Sequence, residues 1–224
     1  MDYQFLQNTL LFHGCESSSI LSMLDCLGAK QKSFLKGAVI FHAGQQVNSM
    51  GLVLSGSVQI ENNDLWGNRS VLDRIEPGFI FAETYSFVQN EPMMVSAVAA
   101  QPSEILFLNA NRILQTCPNT CPHHSRLIQN LLTISAQKTL SLSRRIFHTS
   151  AKTIRGRLLS YLSDYAARQN SREFTIPFNR QQLADYLSVE RSALSNELSK
   201  MQRDGILKTE KNHFCLFQDP SRLG

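Results

Sequence analysis

The stretch NRQQLADYLSVERSALSNELSKM, running from Asn179 to Met201, decides how this 224-residue chain is read. Asn179 is a helix-capping residue, whose side-chain oxygen accepts a backbone N–H in the first turn. Leu183 and Leu187 fall four apart on one helical face, and small Ala184 beside Leu183 lets a second helix cross closely. Ser188 interrupts the pattern and Val189 plugs the turn. Leu194, Leu198 and Met201 then resume it as the inner face of a second helix. Two helices joined by so few residues form the unit that sets its second helix in a DNA major groove. The outward side of that helix carries Arg191, Ser192, Ser195, Asn196 and Lys200. Arginine matches guanine O6 and N7, asparagine matches adenine N6 and N7, and serine serves a base edge or a phosphate. Two-helix corners also occur as plain structure, so the flanking segments carry part of the argument.

Downstream, Leu207, Phe214 and Leu216 flank the turn Lys211-Asn212 as a β-ribbon, with Lys208, Lys211 and His213 able to lie along phosphates. The unit therefore reads as a winged helix-turn-helix. Upstream lie a short β stretch, Phe174–Phe178, and a helix over Thr153–Arg168. Before these, a long helix begins after Pro118, with Asn119 or Thr120 as N-cap and Pro122 near its first turn. Along it Ile128, Leu132, Ser135, Thr139, Leu142 and Ile146 recur at alternating steps of four and three, the seam of a pairing helix. Leu127, Leu131 and Ile134 make a second apolar strip. Two strips need two neighbours, which fits a helix serving its own subunit and a homodimer partner; the alternative is a helix packed only on its own barrel.

From Phe34 to Leu108 short apolar stretches are punctuated by glycine, as in Val39-Ile40-Phe41, Gly51-Leu52-Val53-Leu54 and Ile75-Glu76-Pro77-Gly78. This is the pattern of an antiparallel sandwich or barrel. Leu6–Leu11 and Ile20–Leu27 look like short covering helices ahead of it. The fold class is thus α+β: an N-terminal double-stranded β-helix over 1–118, a central dimerisation helix over 119–148, and a winged helix-turn-helix over 149–224. Residues 1–148 hold 10 Lys/Arg and 10 Asp/Glu, whereas 149–224 hold 12 and 8. The whole basic excess sits in the last third, as expected if that third alone meets a polyanion. Hydrophobic residues make up 42% and charged ones 18%, and no apolar run reaches membrane-spanning length. The start, Met1–His13, lacks a cationic, apolar leader, and five cysteines at irregular spacing are no disulfide framework, so a cytoplasmic location is expected.

These segments together resemble the bacterial regulators typified by the cyclic-AMP receptor protein and FNR, the Crp/Fnr family. The resemblance is carried by residues 34–41 with Gly44, by 51–58, by Pro77-Gly78-Phe79-Ile80 with Glu83, and by 179–187. It looks closest to a clostridial-type branch, through Arg191-Ser192-Ala193-Leu194-Ser195 and the segment Cys117-Pro118-Asn119-Thr120-Cys121. The resemblance implies an effector-sensing β-roll, a dimerising helix, a winged helix reading an inverted repeat in double-stranded DNA, and RNA polymerase as a partner. By position it makes Arg191, Ser192 and Asn196 base readers, with Ser195 close by, and gives Arg180 and Gln181 phosphate contacts beside those of Lys200, Lys208 and Lys211. Three residues depart from the family pattern: Ser188 replaces a turn glycine, Glu197 an apolar residue, and Glu190 a small phosphate-binding residue. Glu190 is repelled by phosphate unless it turns back to cap its helix.

Family members that bind cyclic nucleotide carry a Gly-Glu pair and then an Arg-Ser pair. Here these read Ala82-Glu83 and Met93-Met94. A cyclic phosphate against two thioethers has no cation, so cyclic AMP is not the expected effector. Phe81, Glu83, Met93 and Met94 instead mark a candidate pocket for an unknown small molecule, with core packing as the alternative for the apolar members. An iron–sulfur cluster lacks its cysteine run, since Cys15 and Cys26 stand alone, and His42 or His13 is no haem site. Cys117 and Cys121, with His123 and His124 following, leave open a redox- or metal-responsive regulator of the same architecture. Cupin-like enzyme chemistry has no ligands, because His42 is the one histidine within Phe34–Leu108. No P-loop, HExxH or G-x-S-x-G motif occurs, so an enzyme is not expected. A β-roll regulatory subunit that binds a protein partner is the rival from another class, and it leaves residues 174–217 without a purpose.

Overall fold

The computed structural model describes residues 2–63, 69–88, 90–114 and 122–217, so Cys117 and Cys121 lie outside the described residues. The chain forms two compact units, Met1–Ala136 and Gln137–Gly224.

The first unit opens with α1 (Tyr3–Gln7) and α2 (Ser17–Cys26). Both start three residues earlier than the leucine spacing predicts. Asp2 and Glu16 stand at the N-caps, and the Asp2 carboxylate accepts the Phe5 N–H at 3.0 Å. There follow β1 (Lys30–Phe34), β2 (Val39–Phe41), β3 (Ser49–Ser55), β4 (Val58–Asn63), β5 (Arg69–Ile75), β6 (Ile80–Phe81), α3 (Glu83–Phe87), β7 (Ser96–Ala99), β8 (Ser103–Asn109) and α4 (Ala110–Leu114). The strands make two antiparallel sheets, ordered β1-β8-β3-β6 and β2-β7-β4-β5.

Register explains why β3 and β8 read as unbroken apolar runs. Leu52 pairs with Leu106 and Val53 with Ile105. Successive side chains of a strand point to opposite faces. Met50, Leu52, Leu106 and Leu108 therefore enter a core shared with α1 and α2, while Val53 and Ile105 enter a second core with Phe41, Val58, Ile75 and Ala97. A sheet covered on both faces needs apolar residues at every position. Gly51 faces Phe81 across the β3–β6 pair, and a Cβ there would overlap the Phe81 ring.

Helix α5 (Pro122–Thr149) spans 28 residues. Leu127, Leu131 and Ile134 are buried in the first core, and Asn130 Nδ2 donates to the carbonyls of Leu11 and His13, both at 2.9 Å. From Ser135 to Phe147 every residue of α5 is exposed. Among the described residues no helix is long and apolar enough to cross a membrane.

The second unit continues with α6 (Ile154–Gln169), β9 (Glu173–Thr175), α7 (Arg180–Leu187), α8 (Arg191–Arg203), β10 (Leu207–Glu210) and β11 (His213–Leu216). Thr153 Oγ1 caps α6 by accepting the Gly156 N–H at 3.0 Å. The three strands form a small antiparallel sheet ordered β10-β11-β9. β9 stops short of the predicted Phe178 because Pro177 has no N–H to extend a ladder. Leu158 and Leu162 of α6, Leu183 and Leu187 of α7, Leu194, Leu198 and Met201 of α8, and Phe214 of β11 close one core. Truncating any one of those leucines to alanine costs about 2–5 kcal/mol.

Candidate nucleic-acid interface

The two helices of the corner are each fixed at their ends. At the start of α7, Asn179 Oδ1 accepts the Gln182 N–H and Gln182 Oε1 accepts the Asn179 N–H, both at 2.9 Å. This reciprocal box satisfies two of the first-turn donors. At its end Ser188 takes a left-handed conformation, φ 55°, as a turn glycine would. Arg157 of α6 closes that end: its guanidinium donates to the carbonyls of Leu187 and Ser188 at 3.0 Å and of Ala151 at 2.9 Å. The last carbonyls of a helix lack intrahelical partners, and a cation suits the negative end of its dipole.

Two of the departures noted in the sequence have a structural cause. Glu190 does turn back on its own helix. Its carboxylate accepts the Ser192 hydroxyl and, at 2.9 Å, the Ala193 N–H, and these bonds hold its carboxyl below the usual range. Glu197, half-buried on the inner side of α8, is met by Arg155 of α6. Arg155 Nε donates to Glu197 Oε1 and Nη2 to Asp204 Oδ2, each at 2.6 Å. One guanidinium thus grips both the middle and the C-cap of the second helix, and the two bonds strengthen its hold on its own proton.

On the outer side of α8, Arg191, Ser192, Asn196 and Lys200 are exposed and Ser195 is half-exposed. Ser195 Oγ donates back to the Arg191 carbonyl at 3.0 Å. Between the start of α7, Arg191 and the turn of the wing lies a groove of about 640 Å³. Arg180, Arg191 and Lys211 bring three cations to it, the amides of Asn179, Gln181, Gln182 and Asn212 fill its walls, and no carboxylate lines it. Such a surface fits a phosphate backbone. Lys208 is exposed on β10, and Lys211 holds a left-handed turn, φ 52°. Arg180 is partly committed within the unit: it donates to Thr209 Oγ1 at 2.7 Å and lies over the Phe214 ring, 5.2 Å from its centroid. It therefore ties α7 to the wing, and burial depresses its pKa. Gln181 Nε2 donates to Asp185 Oδ1 at 2.8 Å, and Lys200 Nζ is 3.9 Å from Glu197.

On α5 the predicted seam has Ile128 half-buried and Leu132, Ser135, Thr139, Leu142 and Ile146 exposed on the single chain. In the β domain, Phe81 and Met93 are buried in the core between the sheets, and Glu83 is buried at the start of α3. Met94 does not join them: it is 74% exposed, at a bend just ahead of β7. Among the described residues no three His, Cys, Asp or Glu side chains are grouped to hold a metal ion. Sequence reasoning missed the arginines that hold the corner from behind, Arg155 and Arg157. The one signal for the first was an acid, Glu197, at an inward position of α8.

Comparison with known proteins agrees with this geometry. Residues 31–119 match the cyclic nucleotide-binding domain and residues 156–224 the Crp-like helix-turn-helix domain. Electron transport regulator A of Shewanella oneidensis is 21% identical over 201 residues, covering 88% of this chain and 78% of that protein. An anaerobic regulatory protein of Haemophilus influenzae is 23% identical over 202 residues, covering 88% and 76%. Among solved structures, the c-di-GMP responsive global regulator CLP of Xanthomonas campestris has a TM-score of 0.56 at 18% identity, over 91% of this chain and 100% of that one. CprK complexed with OCPA has a TM-score of 0.63 at 15% identity, over 89% and 92%. These structural likenesses bear on the fold.

Proposed function

We propose, for a chain that belongs to the Crp/Fnr family of DNA-binding transcriptional regulators and not to a family of enzymes, that it acts as a homodimer reading an inverted repeat. The observation that carries this reading is the exposed edge of α8. Arg191, Ser192 and Asn196 stand outward while Leu194, Leu198 and Met201 lock the opposite side into the core. Arg191 and Asn196 are the principal base readers, with Ser192 and Ser195 beside them. Lys200, Lys208, Lys211 and Gln181 contact phosphate, with Arg180 contributing from the groove while it positions the wing. The exposed strip Leu132, Leu142, Ile146 on α5 supports pairing of two copies about a two-fold axis. Two recognition helices then meet half-sites about 34 Å apart, one turn of DNA. Cytoplasmic work at promoters, with RNA polymerase as protein partner, follows from the family.

The β domain is the effector domain, and its ligand is a small molecule other than cyclic AMP. A buried methionine, Met93, and an exposed one, Met94, stand where an arginine-serine pair would meet a cyclic phosphate. Arg191-Ser192-Ala193-Leu194-Ser195 supports placement in the clostridial-type branch. Effector binding resets how the two α5 helices pair, and linkage requires DNA to alter effector affinity in return.

The test is selection of duplexes from a randomised pool by the purified chain, followed by affinity measurement on the enriched sequence. A palindrome is expected. Asn196→Ala and Arg191→Ala should relax discrimination at single base positions by roughly 1–3 kcal/mol each. Uniform weakening on all DNA, selected or not, would overturn the assignment of base readers.

A further inference from the structure

We propose that His148 and Arg145 are positioning residues for this DNA reading: they latch the helix-turn-helix to the last turns of α5, and the latch holds only while the imidazole is uncharged. The inference rests on the homodimer reading above. Its residues all lie within the second unit.

His148 is 1% exposed. Its Nδ1 is 2.9 Å from the hydroxyl of Tyr186, a residue of α7, and its ring meets Tyr161 edge-on with centroids 5.4 Å apart. One turn earlier, Arg145 donates from Nε to the Tyr186 carbonyl at 3.1 Å and from Nη2 to the Asp185 carbonyl at 3.0 Å. Its guanidinium also lies 5.8 Å from the centre of the Tyr186 ring. Two successive turns of α5 thus hold both the side chain and the closing main chain of α7. These carbonyls sit at the negative end of the α7 dipole, where a cation is favoured.

The surroundings of the ring set its charge. Burial acts first, against a proton. Arg144 of α5 and Arg168 of α6 also oppose one, while Asp164 of α6 favours it. Tyr161 and Tyr186 are the other titratable groups whose rings meet the imidazole, and Arg145 lies beyond it over the Tyr186 ring. Asp164 stands 3.4 Å from Nε2, long for a hydrogen bond, and its carboxylate already takes Arg168 Nη2 at 2.8 Å. The balance leaves His148 below the ordinary 6.5. A ring freed from the latch returns to that ordinary value. The latched state therefore binds fewer protons than the released state, and it loses relative stability as pH falls through about 6.5 and below. In a dimer each latch sets one recognition helix against the shared pair of α5 helices, so an open latch disturbs half-site spacing and leaves each single reading head intact.

The experiment uses the full chain and two DNA probes: the palindromic duplex enriched by selection, and the same duplex with one half-site scrambled. Affinities are measured by fluorescence anisotropy between pH 7.5 and 5.5 at constant ionic strength. The wild type should lose roughly threefold or more of its affinity for the palindrome on acidification, while the scrambled probe changes little. His148→Gln, uncharged at every pH, should flatten that acid limb. Tyr186→Phe and Arg145→Ala should weaken palindrome binding at pH 7.5 and spare the scrambled probe. Far-UV circular dichroism reports that each variant is folded, and His148→Asn serves if His148→Gln is not. An acid limb that persists in His148→Gln, or equal losses on both probes, overturns the latch. A wild type that binds both probes alike at every pH overturns the homodimer reading instead.

Discussion

Leu142→Ala is the perturbation that bears hardest on the proposed pairing of α5. Leu142 is 62% exposed on the single chain. Full burial of a leucine side chain is worth about 1.5–3 kcal/mol, so covering that exposed share contributes roughly 1–2 kcal/mol per protomer. Alanine keeps the smaller part of this. A two-fold interface contains the residue twice, so the substitution should weaken the dimer by about 2–3 kcal/mol, or roughly 30- to 150-fold in dissociation constant. Sedimentation equilibrium over a range of protein concentrations measures that constant directly. Leu131→Ala is the control, because Leu131 is 7% exposed and belongs to the core of the first unit. It should lower the thermal stability of that unit by about 2–5 kcal/mol without a matching change in association. A dissociation constant that ignores Leu142→Ala but follows Leu131→Ala would mean that the wrong strip of α5 had been assigned to the partner. A chain that stays monomeric at every concentration would remove the dimer altogether.

Three further outcomes follow from the packing of each unit. Arg155→Ala leaves the carboxylate of Glu197 half-buried without its cation and, allowing for the 37% exposure of Arg155, should cost about 1–2 kcal/mol in urea unfolding. Adding Glu197→Leu should recover most of that loss, and no recovery would mean that the pair does not hold α8. Glu190→Ala removes the acceptor of the Ala193 N–H, so hydrogen exchange at Ser192 and Ala193 should speed up while DNA affinity at low salt rises for want of a carboxylate near phosphate; unchanged exchange would contradict the cap. Gly51→Ala puts a methyl group into the Phe81 ring and should destabilise the β domain by about 1–3 kcal/mol, with Phe81→Leu in the same chain restoring part of it on thermal denaturation.

How far the sequence could be read depends on the range of the interaction involved. The corner at 179–201 was legible because its signals are local: a capping asparagine, leucines at helical spacing and a broken turn all act within a few residues. Even the inward turn of Glu190 was a local alternative, open to a carboxylate at its own helix end. β9 was overestimated at its far end, where Pro177 removes a donor, and α1 and α2 were set too late by leucine spacing when the caps lay upstream. The partners of Glu197, Ser188 and Tyr186 were not legible at all. Arg155, Arg157 and His148 are 42, 31 and 38 residues away, and no periodicity links a guanidinium to a carbonyl across that distance.

Hydrophobic periodicity and capping chemistry are written along one element at a time, and they specify the two kinds of unit, their order, the inner and outer faces of α8 and the two strips of α5. Tertiary structure decided the rest: that Met93 is buried and Met94 is not, that Arg180 braces the wing, that an acid inside α8 is answered from α6, and that α5 grips α7 through Arg145 and His148. Those outcomes depend on which distant charges and carbonyls the folded chain brings within about 3 Å of each other, and burial then fixes what each contact is worth.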